Sequence, residues 1–490
     1  MMKITKSRVL WGAIPVLLCT SATSTVAAPV PGGTLDPLTI PKYVTPLVIP
    51  PVLYDDGGAA MSAEVALRQI TQQVLPAGFP ATPLWAYGNP ANPATFNNPA
   101  FTIEVTQQAP TTVTWINDLV DKDPTSPTFG NFLPHIIQDA NGDPVVDQTL
   151  HWAAPNQDCR DGVARTDCAG ASGLPYDGPI PMVTHVHGAH VGPISDGFPE
   201  AWWLPNAANL TSNPDGTVTD TLTGDIYDPT GTFYDDINDG APGSGTAVYQ
   251  YTNDQPTTTL WYHDHSLGIT RLNVYAASAG FWLIRDTLDG ETGLVSGVLP
   301  GPAPAAGQNP NGDPAVRKAI REIPLAIQPK SFNADGTQYY PADRAFFEGL
   351  GDGGTFADNA GVNIPFLPDH ASDIAPVWNP EAFFNTMVVN GNTWPVLEVA
   401  PERYRFRVLN ASDSRFMNLA LFRVRGNGQP SQLEFPIYAI GSDQGLLPQV
   451  VQIQTGFATA LPGDGRAACE PFWLDILARL DPRIAAIVQG

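Results

Sequence analysis

Two His-x-His pairs constrain the fold of this chain more than any other feature of its sequence. The pairs are Thr184-His185-Val186-His187-Gly188 and Trp261-Tyr262-His263-Asp264-His265, and they use four of the eight histidines. Side chains two residues apart point to the same face of a strand. Residues of β-branched and aromatic type precede both pairs and favour strands there. We therefore predict two neighbouring strands that bring four imidazoles towards one point.

Converging imidazoles are ligands that suit copper, zinc, nickel or iron. A lone histidine on a strand is more often a packed or solvent-facing residue, and that interpretation stays open for each one taken singly. The repetition of the pair favours a metal site formed by His185, His187, His263 and His265.

The composition indicates a turn-rich, all-β chain with more than one domain. The sequence has 490 residues with 50 Pro, 45 Gly and 15% charged residues, and short runs of Val, Thr, Tyr and Phe recur between the turn residues. The formal net charge of -24 argues against nucleic acid and anionic membrane surfaces as partners.

The N-terminus has the pattern of a secretory signal peptide. A basic start is followed by an apolar stretch over residues 9–19, too short to span a bilayer, and by small residues that fit cleavage after Ala27. The alternative is a buried helix, which Pro15 would interrupt. We expect residues 1–27 to be removed and the protein to be periplasmic or secreted. Export permits disulfides, and we expect one between Cys159 and Cys168.

Changes in composition divide the rest of the chain. We predict an extended lead-in over 28–44, a first domain over 45–298, a Pro/Gly linker over 299–318 and a second domain over 319–465. A tail over 466–490 does not continue the β pattern, and residues 472–480 within it have helical spacing.

Two local patterns make sharper predictions about strands. Residues 101–105 and 111–116 read as strands separated by a hairpin-like break. Residues 403–410 alternate strictly, which predicts a half-solvated strand with arginines outside and apolar side chains inside.

Longer stretches around and beyond the histidine pairs resemble the multicopper oxidases, most closely their bacterial spore-coat laccase and bilirubin oxidase branch. The resemblance covers about residues 45–455. It is carried by residues 185–202, 260–276, 389–395, 404–412 and 440–448, which include Val389-Asn390-Gly391 and Ile440-Gly441-Ser442-Asp443.

The resemblance implies fold, cofactor and reaction. Members have cupredoxin domains, each a Greek-key β-sandwich, so we expect tandem cupredoxin-like sandwiches here, the second of them incomplete. The implied cofactor is copper, with four ions in the family. The implied reaction couples one-electron oxidation of a substrate to reduction of oxygen to water. The reducing partner would be a phenol, a pigment or a metal ion.

The resemblance also implies roles for single residues. His185 would bind the type 2 copper, His187 and His263 one type 3 copper, and His265 the other. Asp196 matches an acidic residue that supplies protons near the cluster, although a turn residue in Ser-Asp-Gly is the alternative.

The remaining histidines and one carboxylate receive lesser roles. We interpret Asp264, between two of the proposed ligands, as structural support for them. His190 is expected at the rim, with contact to the site as the alternative. The others are expected in loops or on the surface: His135, His151 and His370.

The sequence departs from the family in its C-terminal part. The family's second set of cluster histidines and its blue-copper cysteine have no counterpart, because His370 is the last histidine and Cys469 has no histidine neighbour. We expect a truncated form that supplies part of the trinuclear site and is inactive alone. A frameshift near residue 466 is the simplest hypothesis, and the nucleotide sequence beyond this codon tests it.

Two other classes of function stay open. One is a non-catalytic cupredoxin scaffold that binds copper. The other is a zinc hydrolase, because His185-x-His187-x-x-His190 has a spacing found in zinc enzymes. Ala189 stands where that signature has an aspartate, which makes zinc the weaker alternative.

Overall fold

The computed structural model describes residues 34–139, 142–146, 148, 152–156, 176–237, 244–286, 299–340, 384–424, 430–443 and 445–453. Several predictions concern residues outside these ranges: the signal peptide, the Cys159–Cys168 disulfide, His151, His370 and the tail over 466–490. The described part is mainly β-strand, which confirms the all-β prediction. Its helices are short: α1 (Tyr234–Ile237), α2 (Thr270–Tyr275) and α3 (Pro314–Ala319). None of the described helices has the length and apolar character needed to cross a bilayer.

The first unit is a two-sheet sandwich with a small additional sheet. Its strands are β1 (Val52–Asp55), β2 (Met61–Gln72), β3 (Thr82–Gly88), β4 (Ala100–Thr106), β5 (Thr111–Asn117), β6 (Thr184–His187), β7 (Leu210–Ser212), β8 (Val218–Asp220), β9 (Ile226–Tyr227), β10 (Thr246–Tyr251), β11 (Thr258–Asp264) and β12 (Ala279–Arg285). One sheet has the order β1-β4-β12-β11-β6, the facing sheet has the order β10-β5-β2-β3, and β7-β8-β9 form the small sheet.

Aromatic side chains fill the space between the two large sheets. The Tyr262 ring on β11 lies 5.2 Å from Tyr87 and 5.4 Å from Trp115 on the facing sheet. The Trp115 indole N–H donates to the Tyr251 hydroxyl at 3.0 Å. Because side chains alternate along a strand, the burial of Tyr262 in this core places its neighbours Trp261 and His263 on the outer face of the sheet.

The predicted hairpin between residues 101–105 and 111–116 is wrong, although both strands exist. β4 pairs with β1 and β12, whereas β5 pairs with β2 and β10 in the opposite sheet. The connection therefore crosses from one sheet to the other. The Gln107 N–H in this connection donates to the Arg285 carbonyl at the end of β12, which ties the crossing to the first sheet.

The second unit is a sheet built on one long strand, with two separate hairpins. Its strands are β13 (Glu322–Phe332), β14 (Gln338–Tyr339), β15 (Thr386–Val389), β16 (Asn392–Thr393), β17 (Arg405–Asn410), β18 (Leu421–Val424), β19 (Pro430–Phe435), β20 (Ile437–Ser442) and β21 (Gly445–Ile453). β13 pairs with β14 and β15 in antiparallel fashion and with β17 in parallel. β18 pairs with β19, and β20 with β21. The domain boundaries stay predictions, and α3 begins within the predicted linker and ends one residue beyond it.

The two units share a buried interface. Phe281 and Leu283 on β12 pack against Ala326 on β13. The lead-in contributes Leu35, which packs in one apolar cluster with Phe332 of the second unit. Burial of this apolar surface stabilises the association of the units by roughly 25 cal/mol per Å² removed from water.

A buried ionic network crosses the same interface. Glu322 on β13 accepts from Arg285 on β12 at 2.6 Å and from Arg407 on β17 at 2.7 Å. Burial opposes ionisation of Glu322, but the arginines outweigh it and lower the pKa of this carboxyl. Arg285 also holds Glu104 on β4 through two hydrogen bonds. The network connects both units through one carboxylate.

The predicted orientation of β17 is wrong. Arg405 and Arg407 are only 7% and 5% exposed, whereas Phe406 and Val408 are 43% and 44% exposed. The arginines face the first unit, where Glu322 and the Thr259 hydroxyl accept hydrogen bonds from Arg407. Side chains on β17 alternate as predicted, but the arginine side is the buried one, because the carboxylate of Glu322 on β13 lies on that side.

Lys330 on β13 is a buried cation at the interface. Its ammonium is fully buried, donates to the Tyr275 carbonyl and to Gln338 Oε1, and lies 4.5 Å from the Tyr275 ring centre. Burial lowers the pKa of Lys330 to about 7, against a smaller opposing effect of Asp413.

We expect Lys330→Met to flatten the dependence of stability on pH between about 7 and 10. The unfolded lysine keeps its proton up to its ordinary pKa of 10.5. The unfolded state therefore binds more protons than the folded state over this window. The wild-type free energy of unfolding should rise with pH by up to ~1.4 kcal/mol per unit relative to the variant. Urea unfolding at pH 7, 8 and 9 measures this. The exposed Lys318→Met is the matched control, and parallel curves for wild type and Lys330→Met would contradict the expectation.

Candidate metal centre

The register between β6 and β11 places the two histidine pairs side by side. The strands are antiparallel, with His185 opposite His263 and His187 opposite Trp261. Because alternate residues share a face, His185, His187 and His263 all lie on the outer face of the sheet. Thr184 and Val186 face the core and are fully buried.

The four predicted histidines lie close together. Ring centres are 5.5 Å apart for His185 and His187, for His185 and His263, and for His187 and His263. The His265 ring centre lies 5.0 Å from His185 and 5.7 Å from His263. Three of the residues, His185, His187 and His263, offer ring nitrogens that are all within 4.8 Å of one another.

In two of the imidazole rings, Nδ1 is hydrogen-bonded to a backbone carbonyl, which leaves the lone pair of the other ring nitrogen available to a metal ion. The Nδ1 atom of His263 donates to the Asp264 carbonyl at 2.7 Å, and Nδ1 of His185 donates to the Asp196 carbonyl. In a neutral imidazole whose proton is on Nδ1, the free lone pair is on Nε2. His263 Nε2 lies 3.3 Å from Nδ1 of His187, so two ring nitrogens face each other.

Burial disfavours the protonated form of three of the four imidazoles. Burial, together with the neighbouring rings, lowers the pKa of His263 well below its ordinary value. Burial and the nearby His185 lower the pKa values of His187 and His265. Neutral imidazole is the form that coordinates metals. The proximity of these rings would be unfavourable if they were protonated.

The donor set fits a metal ion that accepts nitrogen ligands. Nδ1 of His265 is buried and has no hydrogen-bonding partner among the described residues, which is costly unless another group satisfies it. Trp261 stacks on His263 with ring centres 4.0 Å apart and fixes the plane of that ring. Imidazole donors without a carboxylate in the innermost set suit copper or zinc better than calcium or magnesium.

Asp196 lies beside the cluster and is accessible to solvent. It follows a short 3-10 helix over Pro193–Ser195. Its side chain is 51% exposed, and Oδ1 lies 3.5 Å from Nδ1 of His185. The predicted carboxylate therefore reaches both water and one proposed ligand, and its role in proton supply stays a prediction.

Asp264 lies behind the cluster on the core side. Its Oδ1 accepts from the Val183 N–H at 3.1 Å and from the Ser266 hydroxyl at 2.9 Å. Its Oδ2 accepts from the Ser266 N–H at 3.1 Å and from Asn273 Nδ2 at 2.9 Å. Burial raises the pKa of Asp264 to about 6, although these donors act in the opposite direction. The carboxylate joins the start of β6 to the end of β11, which agrees with the supporting role expected for it.

Two other histidines occupy different environments. His190 is at the rim, as expected, with its side chain 76% exposed and paired with Asp254 at 2.7 Å. The structure does not bring it into the cluster. His135 was predicted in a loop or on the surface, and the surface part of that prediction is wrong, because its ring is fully buried against Trp85. Local sequence gave no signal for this, since its neighbours come from distant parts of the chain.

Comparison with known proteins finds laccases among the relatives. No family model matches the chain. A laccase of Bacillus stratosphericus is 29% identical over 420 residues, which are 85% of this chain and 57% of that protein. A laccase of Bacillus subtilis is 28% identical with the same coverage of both chains. A laccase of Haloferax volcanii is 28% identical over 85% of this chain and 50% of its own length. The chain thus spans little more than half the length of these curated relatives.

The comparison also finds solved structures that are similar to part of this chain. A laccase from Pediococcus acidilactici has a TM-score of 0.45 at 17% identity, covering 84% of this chain and 54% of its own. A multicopper oxidase from Campylobacter jejuni, described as a metallo-oxidase, has a TM-score of 0.44 at 15% identity, covering 87% and 53%.

We expect Gly197→Ala to disturb the site through the backbone of its neighbour Asp196. Gly197 has φ +81, and an added Cβ would lie 2.4 Å from the Thr184 carbonyl oxygen. Left-handed conformation costs a residue other than glycine about 1–3 kcal/mol, and the clash adds to it. Thermal unfolding measures the resulting loss of stability. Gly192→Ala in the same loop is the control, because a Cβ there meets nothing within 4 Å. Equal stability of the two variants would contradict the expectation.

Proposed function

Because this chain belongs to the multicopper oxidase family, we propose that His185, His187, His263 and His265 bind copper for the reduction of oxygen to water. The observation that carries the proposal is the convergence of four imidazoles at the outer face of one sheet. The curated relatives named laccases support the copper assignment over zinc.

Each residue has a role in the proposal. His185 would hold a type 2 copper, His187 and His263 one type 3 copper, and His265 the other. Bound copper would supply one-electron redox chemistry. Asp196, partly exposed beside His185, would collect protons from solvent and hold them where oxygen reduction consumes them.

The reducing partner is proposed only by class: a phenol, a pigment or a metal ion. Nucleic acid is not a proposed partner, because a net charge of -24 repels the phosphate backbone.

The proposed site is one part of a larger centre. The printed sequence contains eight histidines and four cysteines, and no cysteine has a histidine beside it. In the family, the cysteine of the blue-copper site, which receives electrons from the substrate, stands in a His-Cys-His motif whose histidines belong to the trinuclear site. We therefore propose that the 490-residue polypeptide supplies part of the trinuclear site. This observation favours a second candidate as well: a scaffold that binds copper without turnover.

We expect the purified polypeptide to bind copper and to lose this binding in the double variant His185→Ala/His263→Ala. The double variant removes two opposing ligands from the centre of the cluster. Titration with Cu(II), followed by metal analysis after dialysis, measures the bound metal. Zn(II) in a parallel titration should bind more weakly, as the general order of metal affinities requires. His190→Ala is the control and should bind copper like the wild type.

Activity separates the oxidase from the scaffold. The copper-loaded polypeptide should lack intense blue absorption and should oxidise a model phenol slowly or not at all. Unchanged copper binding in the double variant would contradict the proposal that these histidines bind copper. Rapid phenol oxidation by the wild type would show a complete oxidase instead.

We also propose export to the periplasm or the medium, with removal of residues 1–27. The basic start and the apolar stretch that follows it support this proposal. N-terminal sequencing of protein produced with its leader should begin at Ala28. A cytoplasmic product that retains Met1 would contradict it.

A further inference from the structure

His187 lies at the end of a short edge strand. It is the last residue of β6, which is four residues long and pairs only with β11 within the described sheet. The Ala189 N–H donates to the Val186 carbonyl at 3.1 Å, and Gly188 has φ +85. Both features are those of a tight turn with glycine as its third residue. The orientation of the His187 ring therefore depends on what holds this turn in place.

One side chain bridges the two sides of the turn. Gln255, in the connection between β10 and β11, is only 8% exposed. Its Nε2 donates to the Gly188 carbonyl at 2.9 Å, and its Oε1 accepts from the His190 N–H at 2.6 Å. A reversed amide would lose both hydrogen bonds, so these two partners fix its orientation. Gln255 therefore connects the turn after β6 to the residues that lead into β11.

The segment that carries Gln255 is itself held in place. The Gln255 carbonyl accepts from Gln107 Nε2 at 3.0 Å. Two residues earlier, the buried Asn253 donates through Nδ2 to the Ala109 carbonyl at 2.7 Å and to the Thr111 hydroxyl at 3.0 Å. These partners lie in the connection from β4 to β5 and at the start of β5. The position of Gln255 is therefore set by the sandwich of the first unit, and not by the turn that it contacts.

An ion pair at the same turn is the alternative restraint. His190 Nδ1 lies 2.7 Å from an Asp254 carboxylate oxygen, and the two side chains are 76% and 39% exposed. Ion pairs with this exposure contribute little to stability, because water competes for both partners. Gln255 is buried, and loss of its partners would leave a buried polar group unsatisfied. The buried amide is therefore the stronger restraint on the turn.

We propose that Gln255 is a positioning residue for His187, acting through the turn that its amide bridges. The inference rests on the proposed function in one respect, namely that His187 binds copper. Its own content is that Gln255 restrains the direction of the His187 ring from outside the cluster. Without this contact, β6 keeps its pairing with β11 but loses the restraint at the end that carries His187.

Two variants separate the amide from the ion pair. Gln255→Met keeps the length and the apolar stem of the side chain but removes both hydrogen bonds. His190→Ala removes the ion pair with Asp254 and keeps the backbone N–H that donates to Gln255. Gln250→Met, at an exposed position on β10, is the matched control for replacing a glutamine by methionine.

Copper affinity is the first readout. Gln255→Met should weaken Cu(II) binding about tenfold, the lower end of the effect seen when a group that orients a ligand is removed. His190→Ala and Gln250→Met should bind Cu(II) like the wild type. An unchanged affinity in Gln255→Met, or an equal loss in His190→Ala, would overturn the inference.

A double-mutant cycle tests whether Gln255 acts through His187. His187→Ala alone should weaken Cu(II) binding, because it removes a ligand. Adding Gln255→Met should then cause little further loss, because the ligand that the amide positions is already absent. A general weakening of the fold would instead lower the affinity by the same factor in both backgrounds. Additive losses would therefore overturn the inference.

Amide hydrogen exchange without metal separates the inference from the proposed function. The Ala189 N–H, which closes the turn, should exchange faster in Gln255→Met than in the wild type. The His265 N–H, which donates to the Val183 carbonyl just before β6, should exchange at the same rate in both proteins. If the wild type binds no copper, the proposed function fails, and this comparison alone decides whether Gln255 holds the turn. Unchanged exchange at Ala189, or equal acceleration at both amides, would overturn the inference even if copper binds.

Discussion

The antiparallel register between β6 and β11 is the constraint on which the site depends. His185 is opposite His263 in this register, and the side-chain period of a strand is two. A slip of one residue would turn every histidine of one strand into the core and bring buried residues such as Val186 to the surface. The cluster therefore depends first on the alignment of the two strands and only then on the individual histidines.

Two kinds of interaction hold that alignment. The aromatic core fixes which face is inside, because Tyr262 packs against Tyr87 and Trp115. Polar contacts fix the position along the strand, because Asp264 accepts from the Val183 N–H and Val183 accepts from the His265 N–H. The second unit adds a further restraint through Arg407, which donates to Thr259 on β11.

The sequence was sufficient to predict the features that depend only on the two-residue period of side chains along a strand. Alternation and β-branched residues predicted the two strands, and spacing predicted that His185, His187, His263 and His265 share a face. It was not sufficient where the outcome depends on distant residues. Alternation on β17 could not show that Glu322 lies on the arginine side.

The other errors have the same origin. The composition between β4 and β5 could not distinguish a hairpin from a crossing between sheets. The segment around His135 gave no sign of burial, because Trp85 comes from elsewhere in the chain.

The two histidine-bearing strands, β6 and β11, differ in how firmly the sheet holds them. β11 lies between β12 and β6, whereas β6 has only β11 as a neighbour in the described sheet and is four residues long. The sheet therefore restrains the histidines of β11 more than those of β6. An ion with longer or shorter bonds to nitrogen would displace β6 at lower cost than β11, because β6 has one pairing neighbour in the described sheet and β11 has two. Attempts to change the metal preference should accordingly vary the loop after His187 and keep β11 as it is.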